Sequence, residues 1–283
     1  MSPISIGIDL PATVTEEGPV DAARTAEGLG FDFVSASDHP AGTDPSYETW
    51  TMLAFVAANT SRIGIATRVL GVPYRPPGMV AKMAETLSRL SGGRLILGLG
   101  GGASDDEFRQ LGLGVPTAAQ KVTGLEEAVD IIRGLWTERD FSYSGTRYRT
   151  ERANIEPKPQ STIPIWFGTY GPRALELTGR IADGWIPSLG FAPEQKLPLM
   201  RRSVLEAAER AGRDPSTVTT ALNLTVELDA DPDAGLVGGP APAVAERLAG
   251  FVESGFTTLN LKVPAGKEQI ERIAKEVIPQ IRA

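Results

Sequence analysis

Eight times in 283 residues the chain passes from a short apolar run into a segment with apolar residues at helical spacing, and this alternation restricts the fold more than any other feature. The expected strands are Ile4–Leu10, Phe31–Ser37, Ile63–Val69, Arg94–Leu99, Ile163–Phe167, Gly184–Pro187, Thr217–Leu228 and Thr257–Val263. Among the intervening helices, Val20, Ala23, Ala26 and Leu29 share one face, as do Val80, Met83, Leu87 and Leu90. Val122, Leu125, Val129, Ile132 and Trp136 form the most regular stripe. Helices are also expected over Thr49–Asn59 and Pro193–Ala211, through Val244, Leu248 and Phe251, and finally through Ile270, Ile273, Val277 and Ile281. Strands such as Leu95-Ile96-Leu97 are apolar without alternation, as a parallel sheet covered on both faces requires. Eight strand–helix units in a chain near the ~250 residues typical of that fold predict a single (β/α)8 TIM barrel domain over residues 1–283. An open doubly wound sheet is the competing arrangement. One excursion breaks the rhythm: Phe141–Pro159 predicts a hairpin inserted before the fifth strand.

Two counts narrow the chemistry. There is no cysteine and one histidine, His39, so disulfides, thiolate nucleophiles, iron–sulfur clusters and Cys/His zinc sites are excluded. Any mechanism that needs an imidazole must use His39. A net charge of -7 gives no electrostatic grip on nucleic acid or anionic membrane. Met1-Ser-Pro-Ile-Ser-Ile lacks the basic and apolar segments of a secretion signal, and no apolar run approaches the ~18–20 residues of a membrane span. A cytoplasmic protein acting on a small molecule is expected.

In a barrel the chemistry lies beyond the carboxyl ends of the strands. There the sequence places Asp38-His39 after strand two, a candidate acid/base pair in which Asp38 either orients the imidazole or caps the loop. Strand three runs into Thr67-Arg68-Val69 and then Val72-Pro73-Tyr74-Arg75. Strand four opens into Gly98-Leu99-Gly100-Gly101-Gly102-Ala103, a literal G-x-G-x-x-A. That run lies on the wrong strand for a dinucleotide fingerprint, and Glu126 and Glu127 fall inside a helix where the acid should end a strand. It leaves two readings open, a backbone anion cradle or a tight turn that needs positive φ. Gly168-Thr169-Tyr170-Gly171-Pro172-Arg173 makes a second cradle at a helix N-terminus, with Arg173 able to add charge to a bound phosphate. Trp166, Tyr170 and Trp185 fit the core or the rim equally well.

These pieces together resemble the luciferase-like flavin superfamily over nearly the whole chain. The matching residues are Ser37-Asp38-His39, Tyr74-Arg75-Pro76-Pro77, Leu87–Gly100, Glu156-Pro157-Lys158-Pro159, Pro164-Ile165-Trp166, Gly171–Leu175 and Gly179–Trp185. The resemblance implies a barrel that binds the deazaflavin F420, or alternatively FMN, across its mouth, and an oxidoreductase or monooxygenase activity. It is closest to the F420-dependent branch and implies a homodimer. It carries the phosphate onto Gly101, Gly102, Tyr170 and Gly171, a non-proline cis peptide onto Arg68–Val69, and a proton-transfer role onto His39. Two departures separate the chain from the deazaflavin sugar-phosphate dehydrogenases. Their tryptophan after the histidine aligns near Thr43, and their glutamate after the glycines aligns with Ala103. Asp105, Asp106 and Glu107 are the acids near enough to replace it.

Overall fold

The computed structural model describes residues 4–11, 13–14, 18–233, 235–264 and 266–282. The Met1-Ser2-Pro3 stretch read above for a secretion signal lies outside them. Eight strands form the barrel: β1 Ser5–Asp9, β2 Phe33–Ala36, β3 Gly64–Thr67, β4 Leu95–Gly100, β5 Ile165–Phe167, β6 Gly184–Trp185, β7 Thr219–Leu228 and β8 Thr258–Lys262. Each pairs in parallel with the next, and β8 pairs with β1, so the sheet closes in chain order. The closed barrel is therefore the architecture, and the open sheet is not. Helices α1 Pro19–Gly28, α2 Thr49–Ala58, α3 Pro77–Leu90, α4 Asp105–Gln110, α5 Ala118–Thr137, α6 Pro172–Ile181, α7 Leu197–Arg210 and α8 Ala241–Glu253 follow in order.

Two cores hold this arrangement. The large one lies between strands and helices and takes the apolar stripes read from the sequence, such as Leu125, Val129 and Ile132 of α5. The small one fills the barrel interior with Phe33, Ala66, Trp166, Ile186 and Ala221. Phe33 and Trp166 meet edge to face at 5.9 Å, a favoured geometry for aromatic pairs. Neighbouring strands yield space to these rings through glycine. A Cβ on Gly7 would lie 2.2 Å from the Phe33 ring, and one on Gly184 would lie 2.5 Å from the Trp166 indole. Trp166 is thus core rather than rim, and so is Trp185, whose indole N–H donates to the Thr169 carbonyl at 2.9 Å.

The expected hairpin is present as antiparallel Phe141–Ser144 and Arg149–Ala153. Glu127 of α5 pins its turn, accepting the N–H groups of Thr146, Arg147 and Tyr148 and the Thr146 hydroxyl. Burial pushes the Glu127 carboxyl up, but these donors outweigh it and hold its pKa below the usual carboxylate value. The sequence reading differs from the structure in three places. A further strand, Leu236–Gly239, pairs in parallel with the end of β7. The short α4 follows the glycine run. The last helical segment widens into a π-turn over Ile273–Val277. At the barrel's base Asp32 Oδ2 accepts the Ile6 N–H at 2.6 Å and the Arg282 guanidinium at 2.5 Å. Among the described residues no helix is long and apolar enough to cross a membrane, and no cluster of acids or histidines has the makings of a metal site.

Candidate active site at the barrel mouth

A cavity of about 620 Å³ opens at the carboxyl ends of the strands. His39, Arg68, Val69, Tyr74, Tyr170 and the Gly100–Ala103 backbone lie on its wall. Beyond β3 the Arg68–Val69 peptide bond is cis, and the chain resumes as Leu70–Gly71 beside Leu99 and Gly100. Val69 then fills the space that three glycines leave. A Cβ on Gly100 would lie 2.6 Å from its Cγ2, and on Gly168 3.1 Å; on Gly98 it would meet Cγ1 at 3.2 Å.

The single imidazole has found its carboxylate. His39 Nδ1 lies 2.8 Å from Glu107 Oε1, and the Tyr74 hydroxyl bonds Glu107 Oε2. Ser104 caps α4 by accepting the Glu107 N–H at 3.3 Å, which turns Glu107 and Phe108 inward. The other two acids face out: Asp105 pairs with Lys121 at 2.8 Å and Asp106 with Arg109 at 2.5 Å. Tyr74 reaches Glu107 from a single 3-10 turn, Val72–Tyr74, between β3 and α3. Burial first, and then the Glu107 carboxylate beside it, push the Tyr74 hydroxyl well above its ordinary pKa, so it stays a donor. An ionised carboxylate only accepts, which fixes the proton of neutral His39 on Nδ1 and leaves the Nε2 lone pair free.

Asp38 does not orient the imidazole. Its carboxylate accepts both arms of Arg75, at 2.8 and 3.0 Å, and the Gly71 N–H at 2.8 Å. Arg75 also bonds Glu48, the N-cap of α2. Asp38 is therefore a buried tie between the loops after β2 and β3, the loop-fixing alternative of the sequence reading.

The glycine cradle divides in a similar way. Gly102 has φ +83°, and a Cβ there would also enter the Phe108 ring at 2.3 Å, so the turn itself demands glycine. The N–H groups of Gly101, Gly102 and Ala103 nonetheless meet no acceptor among the described residues, and those of Tyr170 and Gly171 meet none either. Gly171 caps α6 with an open helix N-terminus. Gly168 and Tyr170 line the cavity, the Tyr170 hydroxyl accepting the Ser188 N–H at 2.8 Å. Three expected site residues serve the scaffold instead. Thr67 donates to the Gly98 carbonyl, Thr169 bonds the Thr178 hydroxyl, and Arg173 reaches sideways to Thr123 at 3.0 Å on α5. The sequence reading counted Glu107 among three candidate acids without singling it out, and it omitted Tyr74, which holds Glu107, as well as Asn223 and Lys262 on the cavity wall. The S-x-x-E spacing of Ser104 and Glu107 is a helix-start signal that would have marked the start of α4. Asn223 and Lys262 lie on β7 and at the end of β8, where any polar residue of a barrel is a candidate.

Residues 11–236 match the profile of a family described as luciferase-like monooxygenase. An F420-dependent glucose-6-phosphate dehydrogenase of Nakamurella multipartita is 35% identical over 241 residues, covering 82% of this chain and 70% of that protein. The protein of the same name from Kribbella flavida is 34% identical over 243 residues, covering 82% and 72%. Among solved structures, an F420-dependent secondary alcohol dehydrogenase in complex with an F420-acetone adduct superimposes with TM-score 0.89 at 21% identity, covering 99% of this chain and 100% of that one. The F420-dependent tetrahydromethanopterin reductase of Methanopyrus kandleri gives TM-score 0.85 at 21% identity, covering 99% of this chain and 100% of that one.

Proposed function

The chain belongs to the luciferase-like monooxygenase family, and from that premise we propose that it is an F420-dependent oxidoreductase that moves a hydride between the deazaflavin and a small organic substrate. The observation that carries this reading is the cluster of His39, Glu107 and Tyr74 beside a ledge of unsatisfied backbone N–H groups at the barrel mouth. Relatives named for F420 support the choice of cofactor.

The residues present suit such a group. Five N–H donors on two neighbouring loops, two of them at Tyr170 and Gly171 beside the start of α6, form a cradle for the cofactor's phosphate. Val69, held by its three glycines, offers an apolar face for the ring. F420, when bound, gives or accepts the hydride. This chain supplies the proton. With Nδ1–H committed to Glu107, His39 Nε2 accepts the hydroxyl proton of an alcohol, or as imidazolium returns one to a carbonyl oxygen. Glu107 stabilises the imidazolium form, and Tyr74 keeps the carboxylate in place by holding its second oxygen. Asp38, Arg75 and Glu48 fix the loops that carry His39 and Tyr74.

Ala103 stands where the resemblance places the acid of the sugar-phosphate dehydrogenases, and His39 pairs instead with Glu107 of α4. This arrangement favours a substrate other than glucose 6-phosphate. The test is a titration of the purified protein with F420 and, separately, with FMN, followed by turnover of alcohols and carbonyl compounds with oxidised and reduced F420. Binding of F420 at micromolar concentration and hydride transfer abolished in His39→Asn are expected. Tight binding of FMN with none of F420 would replace the reading with an FMN-dependent oxygenase.

A further inference from the structure

Arg68 is the one cavity-wall cation locked from behind by a carboxylate. Its Nε and Nη2 donate to the two oxygens of Asp9 at 2.9 and 2.8 Å, a parallel fork that fixes the guanidinium plane. The pair is well buried, with the Arg68 side chain 14% and that of Asp9 6% exposed. Asp9 is itself anchored. The Ser35 hydroxyl lies 2.8 Å from Asp9 Oδ1 and 3.0 Å from Asn260 Oδ1, and its single proton goes to the stronger acceptor, the carboxylate. Asn260 then bonds Asn223 at 2.8 Å, and Asn223 bonds Ser188 at 3.1 Å on the opposite wall. Polar side chains on successive strands thus run from Ser188 to Arg68, and Ser188, Asn223 and Arg68 lie on the cavity wall.

This much order around one arginine has a consequence. The hydrogens on Nη1 meet no acceptor among the described residues, while the cavity touches the residue. These hydrogens open to the cavity rather than being sealed in the core, so they are available to an acceptor on a bound molecule in place of water. Asp9 already neutralises the charge, so the group presents oriented N–H donors rather than a net cation. We propose that Arg68 is a specificity-determining residue that binds a neutral carbonyl oxygen of the substrate, a ketone, aldehyde or ester, and discriminates against a phosphate dianion. The proposal rests on the oxidoreductase reading above and names its substrate class.

A carbonyl acceptor has two sources, the substrate or the cofactor ring, and the experiment separates them. Acetophenone and phenyl phosphate serve as matched probes in calorimetric titrations of cofactor-free and F420-saturated protein, with F420 affinity measured in parallel. The wild type should bind acetophenone at least tenfold more tightly than phenyl phosphate. Arg68→Lys keeps the charge beside Asp9 but loses the fork, and should weaken acetophenone at least tenfold while F420 affinity stays within twofold. The double variant Asp9→Asn/Arg68→Met, which leaves no buried carboxylate unpaired, should do the same. Undiminished acetophenone binding in both variants, or none in the wild type, overturns the proposal. So does a tenfold fall in F420 affinity, which gives the fork to the cofactor. Failure of wild-type protein to bind F420 would sink the deazaflavin reading alone, because the cofactor-free arm still decides Arg68.

Discussion

Glu107 converts a solitary histidine into a directed base, and its loss should be felt in catalysis rather than in cofactor binding. Glu107→Gln removes the charge that steadies the imidazolium while keeping the side chain's size. The kcat is expected to fall about 10²-fold, within the range that positioned acid–base groups contribute, with F420 affinity within twofold of wild type. Steady-state kinetics together with a fluorescence titration measure both, and an unchanged kcat would remove Glu107 from proton transfer. Tyr74→Phe leaves Glu107 with one partner and should cost less than Glu107→Gln in the same assay. At this scale the sequence was informative about His39, because no other imidazole exists. It left the partner open between Asp38 and the acids after the glycine run. Asp38 adjoins His39 in the chain, yet neighbouring side chains of an extended segment point to opposite sides, and Asp38 turns inward to Arg75. Three consecutive acids, Asp105, Asp106 and Glu107, differ only in helical phase, which becomes legible once Ser104 is recognised as a cap.

Long elements were readable from their own periodicity, and the short barrel strands from their place in the strand–helix rhythm. The α5 stripe fixes a helix through its repeated apolar face, and Phe141–Pro159 stands out as the one segment that breaks the strand–helix rhythm. By contrast α4 spans six residues, too few for a periodic pattern to rise above chance. The joint between α5 and the hairpin carries its own prediction. Because Glu127 titrates below the ordinary carboxylate value in the folded chain, its ionised form favours folding. That contribution is fully present above about pH 4.5, the ordinary value, and disappears as pH falls through the lower folded one. Glu127→Gln should therefore destabilise the protein by about 1–3 kcal/mol at pH 7, with the gap to wild type closing below pH 4.5. Denaturant unfolding of both proteins from pH 7 to pH 3 checks this. Other low-titrating carboxylates such as Glu85 are common to both and cancel in the difference. A gap that stayed constant with pH would show that the hydrogen bonds matter without the charge.

For the molecule as a whole, the order of the strands around the barrel was implicit in the eightfold rhythm, since right-handed parallel crossovers leave few other ways to bury every apolar face. What fills the barrel was not. The need for glycine at Gly7 and Gly184 exists only because Phe33 and Trp166 come from other strands to occupy those spaces. The fork that Arg68 makes with Asp9 was equally hidden, for the two residues lie 59 positions apart. One feature at the opposite end of the barrel reaches further. Asp32 gathers the first turn of β1 and the last helix onto a single carboxylate oxygen through Ile6 and Arg282. Strand β1 and the last helical segment, which lie more than 250 positions apart in the chain, are thus held side by side at the end of the barrel away from the site. Joining Arg282 to Ile4 by a short Gly/Ser linker and reopening the chain at the exposed turn after Gly212 should yield a permutant that still binds F420 within twofold of the parent affinity.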